Sequence, residues 1–351
     1  MSQKRDIRNT SEEQLQAFFQ EAGEPQYRLK QLLEWIWEKR ALSFEEMSNL
    51  PLQLRQLLSA HFEFRNVAVH QVQKSMDGTM KNAVQLFDGK VVESVLIPTP
   101  TRSTACVSSQ VGCSLDCHFC ATARLKRMRN LNPDEIYDQV VLIDQQSKEH
   151  FNRPLSNIVF MGMGEPLLNY AQVLEAIQRI TSPEHGLGMA PKRITLSTVG
   201  IVKMIRKLAD DGVRFNLAVS LHSAIDEKRS SIMPINRSNP LDELMEALQY
   251  WYRITKRKVT FEYVVWKGFN DQEEDIQALI RYGKRVPCKV NLIEYNAIGD
   301  ERFQQADPEV VERYQQQLQA NGITAKIRRS RGKDIDAACG QLANKELPKE
   351  L

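Results

Sequence analysis

The sequence predicts an α/β fold: a partial (β/α) barrel of parallel strands with a small, mostly helical α+β accessory unit at its N-terminus. Three observations predict it. From about residue 100 onward, short apolar runs at 156–161, 193–197, 215–221, 259–265, 289–295 and 323–327 alternate with amphipathic stretches. With the run near 104–107 they make roughly six to seven βα units, the signature of a parallel sheet. Before them, the chain first has a helical period and then a strand-like one.

The accessory unit, placed at 1–98, begins with a capping box of Thr10 and Glu13. Gly23 and Pro25 separate its first two helices, and Leu29, Leu32, Leu33, Ile36 and Trp37 recur at the spacing of a second buried helix face. Between 66 and 98 the pattern turns into short β-rich runs punctuated by Asp77-Gly78 and Asp88-Gly89, both hairpin signals. The core barrel then occupies 99–351.

A chain of 351 residues, 42% hydrophobic, can bury such a core. Its net charge of +3 is too small to require a polyanionic partner, so charge distribution must decide that point. The polar first ten residues lack a signal-peptide apolar region, and no run approaches the ~20 apolar residues of a membrane span. A cytoplasmic protein is expected. Six cysteines are too few for a disulfide scaffold, yet three of them, Cys113, Cys117 and Cys120, fall within eight residues.

Three thiolates on one loop after a strand can hold three irons of a four-iron cluster and leave the fourth open to a substrate. The competing reading is a zinc knot with His118 or a remote cysteine as fourth ligand. Gly162-Met-Gly164-Glu165-Pro166 directly follows the run at 156–161. There glycines permit close backbone approach and a carboxylate can accept hydrogen bonds from an ammonium group. Ser197, Ser220-Leu221-His222 and Asn296 also follow strand-like runs, where barrel chemistry gathers. Taken singly, such residues are as often turn formers or caps.

The triplet Cys113-x3-Cys117-x-Phe119-Cys120, with Gly-Glu-Pro after the next strand, resembles the radical S-adenosylmethionine superfamily. The resemblance implies a [4Fe-4S] cluster on Cys113, Cys117 and Cys120, and S-adenosylmethionine held by Gly164, Glu165, Ser197, Ser220, Leu221, His222 and Asn296. Cleavage of that cofactor to a 5′-deoxyadenosyl radical follows from it. Two flanking segments narrow the resemblance: Thr104-Ala-Cys106-Val-Ser-Ser-Gln-Val-Gly-Cys113, and Gly332-Lys-Asp-Ile-Asp-Ala-Ala-Cys339-Gly-Gln-Leu342. They are similar to the RlmN/Cfr family of adenine methyltransferases, and more to its RlmN branch.

Adenine C2 and C8 offer no nucleophile for direct attack on a sulfonium methyl group, so a radical route is required. The resemblance implies that Cys339 is methylated, that its S-methyl group loses hydrogen to the radical, and that the resulting carbon adds to the base. Cys106 then attacks the Cys339 sulfur and a disulfide forms as the product leaves. Glu93, inside the apolar run around 91–98, matches the family's proton acceptor; unaided, it reads as a solvent-facing strand residue. The substrate implied is adenine in 23S ribosomal RNA at the peptidyl-transferase centre, the tRNA adenine just 3′ of the anticodon, or both. A low-potential donor such as flavodoxin is implied as well, and nothing requires more than a monomer.

Arg124, Lys126, Arg127 and Arg129 after the cysteine loop, and Lys326, Arg328, Arg329, Arg331 and Lys333 before Cys339, are the expected phosphate contacts. Arg28, Lys30, Lys39 and Arg40 read equally as a more distant grip on RNA or as the outer face of helices that only shield the barrel. Ala123 and Lys126 stand where the family pattern has glycines, and the run at 292–296 lacks its proline, which puts loop shape and the choice of C2 over C8 in question. Three alternatives remain: a C8 methyltransferase, a zinc-stabilised non-catalytic RNA-binding protein, and a radical enzyme acting on a small molecule.

Overall fold

The protein is described by a computed structural model that covers residues 4–184 and 186–344. A short parallel pair, β1 (Arg5–Asp6) with β2 (Phe62–Glu63), ties together a helical unit of α1 (Glu12–Glu21), α2 (Gln26–Leu33) and α3 (Leu52–His61). Leu29, Leu32, Leu33, Ile36 and Trp37 are all buried, the last two on a π-helical turn that continues α2. The capping box lies one residue later than the spacing predicts. Ser11 Oγ accepts the Gln14 N–H and the Gln14 side chain accepts the Ser11 N–H, whereas the Thr10 hydroxyl donates to the Asp6 carbonyl. Thr10 already closes the preceding 3-10 turn, so Ser11 is the first extended residue free to cap.

Ten strands form one mixed sheet. An antiparallel meander of β3 (Ala68–Lys74), β4 (Met80–Gln85), β5 (Val91–Thr99) and β6 (Arg102–Cys106) turns at Gly78 and Gly89, both at positive φ as the Asp-Gly signals require. A separate ribbon of β7 (Gln110–Val111) and β8 (Arg129–Asn130) follows. Six further strands then pair in parallel, beginning on β6: β9 (Asn157–Phe160), β10 (Ile194–Thr198), β11 (Asn216–Ser220), β12 (Val259–Val264), β13 (Cys288–Ile293) and β14 (Thr324–Arg328). The sheet ends at β14 and β3, so the barrel stays open. The strands that the sequence groups with the accessory unit therefore share a sheet with the core, Val95 lying opposite Cys106.

Helices between the strands cover the sheet: α4 (Pro133–Phe151), α5 (Tyr170–Thr181), α6 (Val202–Asp210), α7 (Asp226–Ile232), α8 (Leu241–Thr255), α9 (Glu273–Gly283) and α10 (Pro308–Ala320). α4 starts at an Asn132–Glu135 capping box with proline in its first turn, and it stops at left-handed Asn152. α5 buries Val173, Ala176, Ile177 and Ile180, the helical spacing of a single face. Each aliphatic side chain so buried contributes about 1.5–3 kcal/mol relative to exposure. Leu217, Ala218 and Val219 of β11 are all buried, because parallel strands have both faces covered.

Candidate active site

The three clustered cysteines sit on a loop that the chain ties off before and after. Val111 pairs with Arg129 and Gln110 with Asn130, and the Cys113 N–H donates to the Leu125 carbonyl at 3.2 Å. Gly112 lets the two sides of the loop close: a Cβ there would lie 2.4 Å from the Lys126 carbonyl oxygen, at a φ of +73°. Ala123 and Lys126, which replace expected glycines, have ordinary negative φ, so neither costs strain. Cys113, Cys117 and Cys120 line one cavity of about 1120 Å³, open mouth included, and His118 is not on its wall. Burial and mutual repulsion push the Cys113 thiol up to about 11 and Cys117 well above its usual range. Such a thiol set suits a cationic metal group rather than solvent.

The opposite wall comes from successive strand ends. Gly164, Glu165, Ser197, Ser220, His222 and Asn296 all line this cavity, brought together from four different strand ends. Leu221 does not: its side chain is fully buried in the core and its N–H donates to the Glu262 carbonyl. The glycines of the Gly-Met-Gly-Glu run serve packing. A Cβ on Gly162 would meet the Val107 backbone and one on Gly164 the Gln110 side chain, both closer than 3.0 Å. Gln110 in turn accepts the Glu165 N–H at 2.8 Å, and the Glu165 carboxylate accepts the N–H groups of Leu167 and Val199, both at 2.9 Å. Burial outweighs those bonds and raises Glu165 to about 7. His222, at positive φ, accepts the Val264 N–H on Nδ1, and burial followed by the Arg229 charge lowers it to about 3. It is therefore neutral, with its proton on Nε2.

Cys339 links this cavity to a second one. It lines both, whereas Cys106 lines only the second, with Arg102, Arg328, Arg329 and Arg331. Cys106 is buried and its thiol is raised to about 12 by desolvation first and Cys339 second, against the pull of Arg328. The segment carrying Cys339 is pinned from several sides. The Ala121 N–H donates to the Gly340 carbonyl at 2.7 Å, the Thr122 hydroxyl to Leu342 at 2.6 Å, and the Asn296 amide to Cys339 at 3.2 Å. Asp334 accepts the Ser75 hydroxyl and Met76 N–H from the β3–β4 turn. Glu93 is buried at 4% exposure instead of facing solvent; Lys81 lies 3.4 Å away, and the N–H groups of Ala343 and Asn344 donate to it. It shares the Cys106-bearing face of the β5–β6 pair but lines neither cavity.

Comparison with known proteins agrees with this geometry. The radical SAM superfamily model matches residues 107–280, and the ribosomal RNA large subunit methyltransferase N-terminal domain model matches 5–64. The chain is 64% identical over 98% of its length, and 99% of the relative's, to a probable dual-specificity RNA methyltransferase RlmN of Flavobacterium psychrophilum. It is 44% identical to the like-named protein of Salinibacter ruber, over 97% of this chain and 94% of that one. A crystal structure of a radical SAM methyltransferase from Sphaerobacter thermophilus superposes with a TM-score of 0.89 at 38% identity, covering 96% of this chain and 99% of that one.

The chain belongs to the RlmN family.

Membership implies a [4Fe-4S] cluster and S-adenosylmethionine, and the RlmN-type site fits both. Three thiols, Cys117 buried and Cys113 and Cys120 half-buried, line the cavity, while Asn296 Oδ1 and Glu262 Oε2 are buried there without hydrogen-bond partners among the described residues. The sequence reading missed two residues of this site. Arg229, fully buried, donates to the carbonyls of Val199, Ser220 and Leu221 and to the Asn236 side chain, so it holds two strand ends in place. The Met-Pro-Ile-Asn236 run was its only signal. Glu262, buried beside Asn291 and 3.7 Å from Arg328, had none, because it reads as one polar residue in an apolar strand.

The basic runs need correction as well. Arg328 points into the barrel rather than to solvent, because alternate residues of β14 face opposite sides. Arg129 is bound to Asp88 and Glu135, Arg124 lies beside Asp300, Arg331 donates to Asp77, and Lys333 pairs with Glu294. Lys126, Arg127 and Arg329 face outward. In the helical unit, Arg28 donates to Gln31 and the Asn49 carbonyl, and Lys39 pairs with Glu34.

Proposed function

We propose that this RlmN-family enzyme methylates C2 of adenine in 23S ribosomal RNA at the peptidyl-transferase centre and in tRNA next to the anticodon, by way of a methylated Cys339. The observation that carries this reading is the position of Cys339 on the wall shared by the two cavities, one holding the three cluster cysteines and the other Cys106. The relatives' name, dual-specificity RNA methyltransferase, supports RNA as the substrate.

Cys113, Cys117 and Cys120 hold the cluster, and Gly164, Glu165, Ser197, Ser220, His222 and Asn296 orient the cofactor, with Leu221 contributing only through its backbone. Bound and reduced, the cluster and S-adenosylmethionine together supply the radical. The Cys339 thiolate takes a methyl group from one S-adenosylmethionine. That methyl would lose a hydrogen atom to the radical and bond to the ring carbon, and the adduct would return one electron to the oxidised cluster and shed the ring proton. The Cys106 thiolate would then attack the Cys339 sulfur, breaking the carbon–sulfur bond so that the freed carbon takes a proton and leaves as the product's methyl group. Two electrons from a thiol reductant must reopen that disulfide. Glu93 accepts the proton leaving the ring carbon, which requires the tail at 343–344 to lift from it. The low-potential electron comes from a donor such as flavodoxin, and the enzyme works as a cytoplasmic monomer. Among the described residues no helix is long and apolar enough to cross a membrane.

The test is anaerobic incubation of reconstituted wild type, Cys106→Ala and Cys339→Ala with S-adenosylmethionine, reductant and separate unmodified RNAs. Wild type should give 2-methyladenosine, Cys106→Ala a protein–RNA crosslink, and Cys339→Ala neither. Cofactor cleavage with every RNA left unmodified and uncrosslinked would remove RNA from the reading, and 8-methyladenosine would move it to C8.

A further inference from the structure

The two cavities that meet at Cys339 are lined by opposite kinds of ionisable group, acidic in one and basic in the other. Among the described residues, the cluster-side cavity is lined by the carboxyl groups of Glu165, Glu262 and Glu294 and by a single cation, Arg328. The second opens through the gap between β14 and the β5–β6 pair, and among the described residues it is lined by Arg102, Arg328, Arg329 and Arg331 with no carboxylate. They share Met161, Arg328, Cys339 and Leu342.

Charge complementarity separates the two substrates of the proposed reaction. S-adenosylmethionine carries a sulfonium and an ammonium against one carboxylate, so it suits the acid-lined side; RNA brings one negative charge per nucleotide and suits the arginine-lined side. Arg102 and Arg329 are exposed, and their guanidinium groups donate no hydrogen bond among the described residues. Over the cysteine loop, by contrast, Arg124 and Arg129 already face Asp300, Asp88 and Glu135. From Arg102, at the start of β6, to Cys106 at its end is ~13 Å of strand. A chain of cations therefore leads from solvent to the two sulfurs.

We propose that the RNA strand reaches Cys339 through this lateral arginine-lined opening, not over the cluster loop, with Arg102 and Arg329 gripping the phosphates that flank the extruded base. This rests on the RNA methyltransferase reading above. The base must leave its stack to be modified, and phosphates held on both sides fix the register in which it does so. Arg102 stands outside both basic runs of the sequence, so only the fold brings it to the site.

The test compares reconstituted wild type with Arg102→Ala/Arg329→Ala and with Lys126→Ala/Arg127→Ala, the pair on the competing route. Binding of an unmodified anticodon stem-loop RNA is followed by fluorescence anisotropy over a range of salt. The lateral pair should weaken binding at least tenfold and lower the salt slope by ~1.4, two single-strand phosphate contacts at ~0.7 each, and the cluster-loop pair should lose less. RNA-independent methylation of Cys339, read by intact mass, should persist in both variants and shows that fold and cofactor side are intact. A larger loss in the cluster-loop pair overturns the route. So does wild-type RNA affinity in the lateral pair with the Cys106–Cys339 disulfide persisting after one turnover, which would assign the opening to an anionic thiol reductant. Wild type that binds the RNA and modifies none refutes the functional reading instead, and the route is still judged by the binding data.

Discussion

Replacing Gly112 by alanine should release the cluster loop, and the cost can be worked from the backbone around it. At φ +73° an L-residue loses about 1–2 kcal/mol relative to glycine. The added Cβ would also meet the Lys126 carbonyl oxygen at 2.4 Å and the Leu125 carbonyl oxygen at 3.1 Å. Both are main-chain atoms that cannot rotate away, so overpacking adds about 1–3 kcal/mol. The total, about 2–5 kcal/mol, matches or exceeds what the Cys113 N–H to Leu125 bond and the short β7–β8 ribbon supply at about 1 kcal/mol each. The loop should open locally while the barrel stays folded. Gly268 is the control: it has φ +71°, but a Cβ added there would meet nothing within 4 Å, so Gly268→Ala carries only the conformational cost. The assay is iron content and the ~400 nm absorbance of anaerobically reconstituted protein, read beside circular dichroism. Gly112→Ala should retain less than about half the wild-type iron with an unchanged far-ultraviolet spectrum, and Gly268→Ala should retain nearly all of it. Equal iron retention by the two variants would refute the close approach of Gly112 to Lys126 as the loop's closing contact.

Two further outcomes follow from buried groups. Arg229→Met strips donors from three buried or part-buried carbonyls and the Asn236 amide oxygen, and should destabilise the protein by about 4 kcal/mol in denaturant titration; a loss under 1 kcal/mol would contradict the bonding described. Asp134 is raised to about 7 by burial first, then by Asp6 and Asp138, against the pull of Arg8. Its folded-state pKa thus lies above the unfolded 3.8, so it favours folding fully below pH 3.8 and that contribution is lost as pH rises through 7. Asp134→Asn should therefore gain stability relative to wild type between pH 5 and pH 8, by at most about 3 kcal/mol, read as a rise in melting temperature, and a pH-independent difference would remove the buried-carboxylate account.

Much of this protein is readable in short windows. The three cysteines within eight residues, the Asp-Gly hairpins and the alternation of apolar runs with amphipathic helices each depend on neighbours a few residues away, and each is found where the sequence puts it. The misses are equally specific. Thr10 yields the cap to Ser11 because a 3-10 turn occupies it, and Leu221 sits in the core between two cavity residues because strand side chains alternate.

Amino-acid order alone determined the local chemistry: which loop carries thiolates, which strands end in polar residues, and which helices have one apolar face. Only the tertiary structure decided that Cys106 and Cys339 border one cavity, that Glu93 is buried beneath the C-terminal segment, and that Arg328 and Arg102 line the same cavity at the barrel's open side while Arg129 is held by Asp88 and Glu135. The physical reason is range. Spacing and turn preferences act through backbone sterics and hydrogen bonds over a few residues. Which distant side chains share a cavity depends on the order, curvature and incomplete closure of a ten-stranded sheet, and those properties exist only once the whole core has packed.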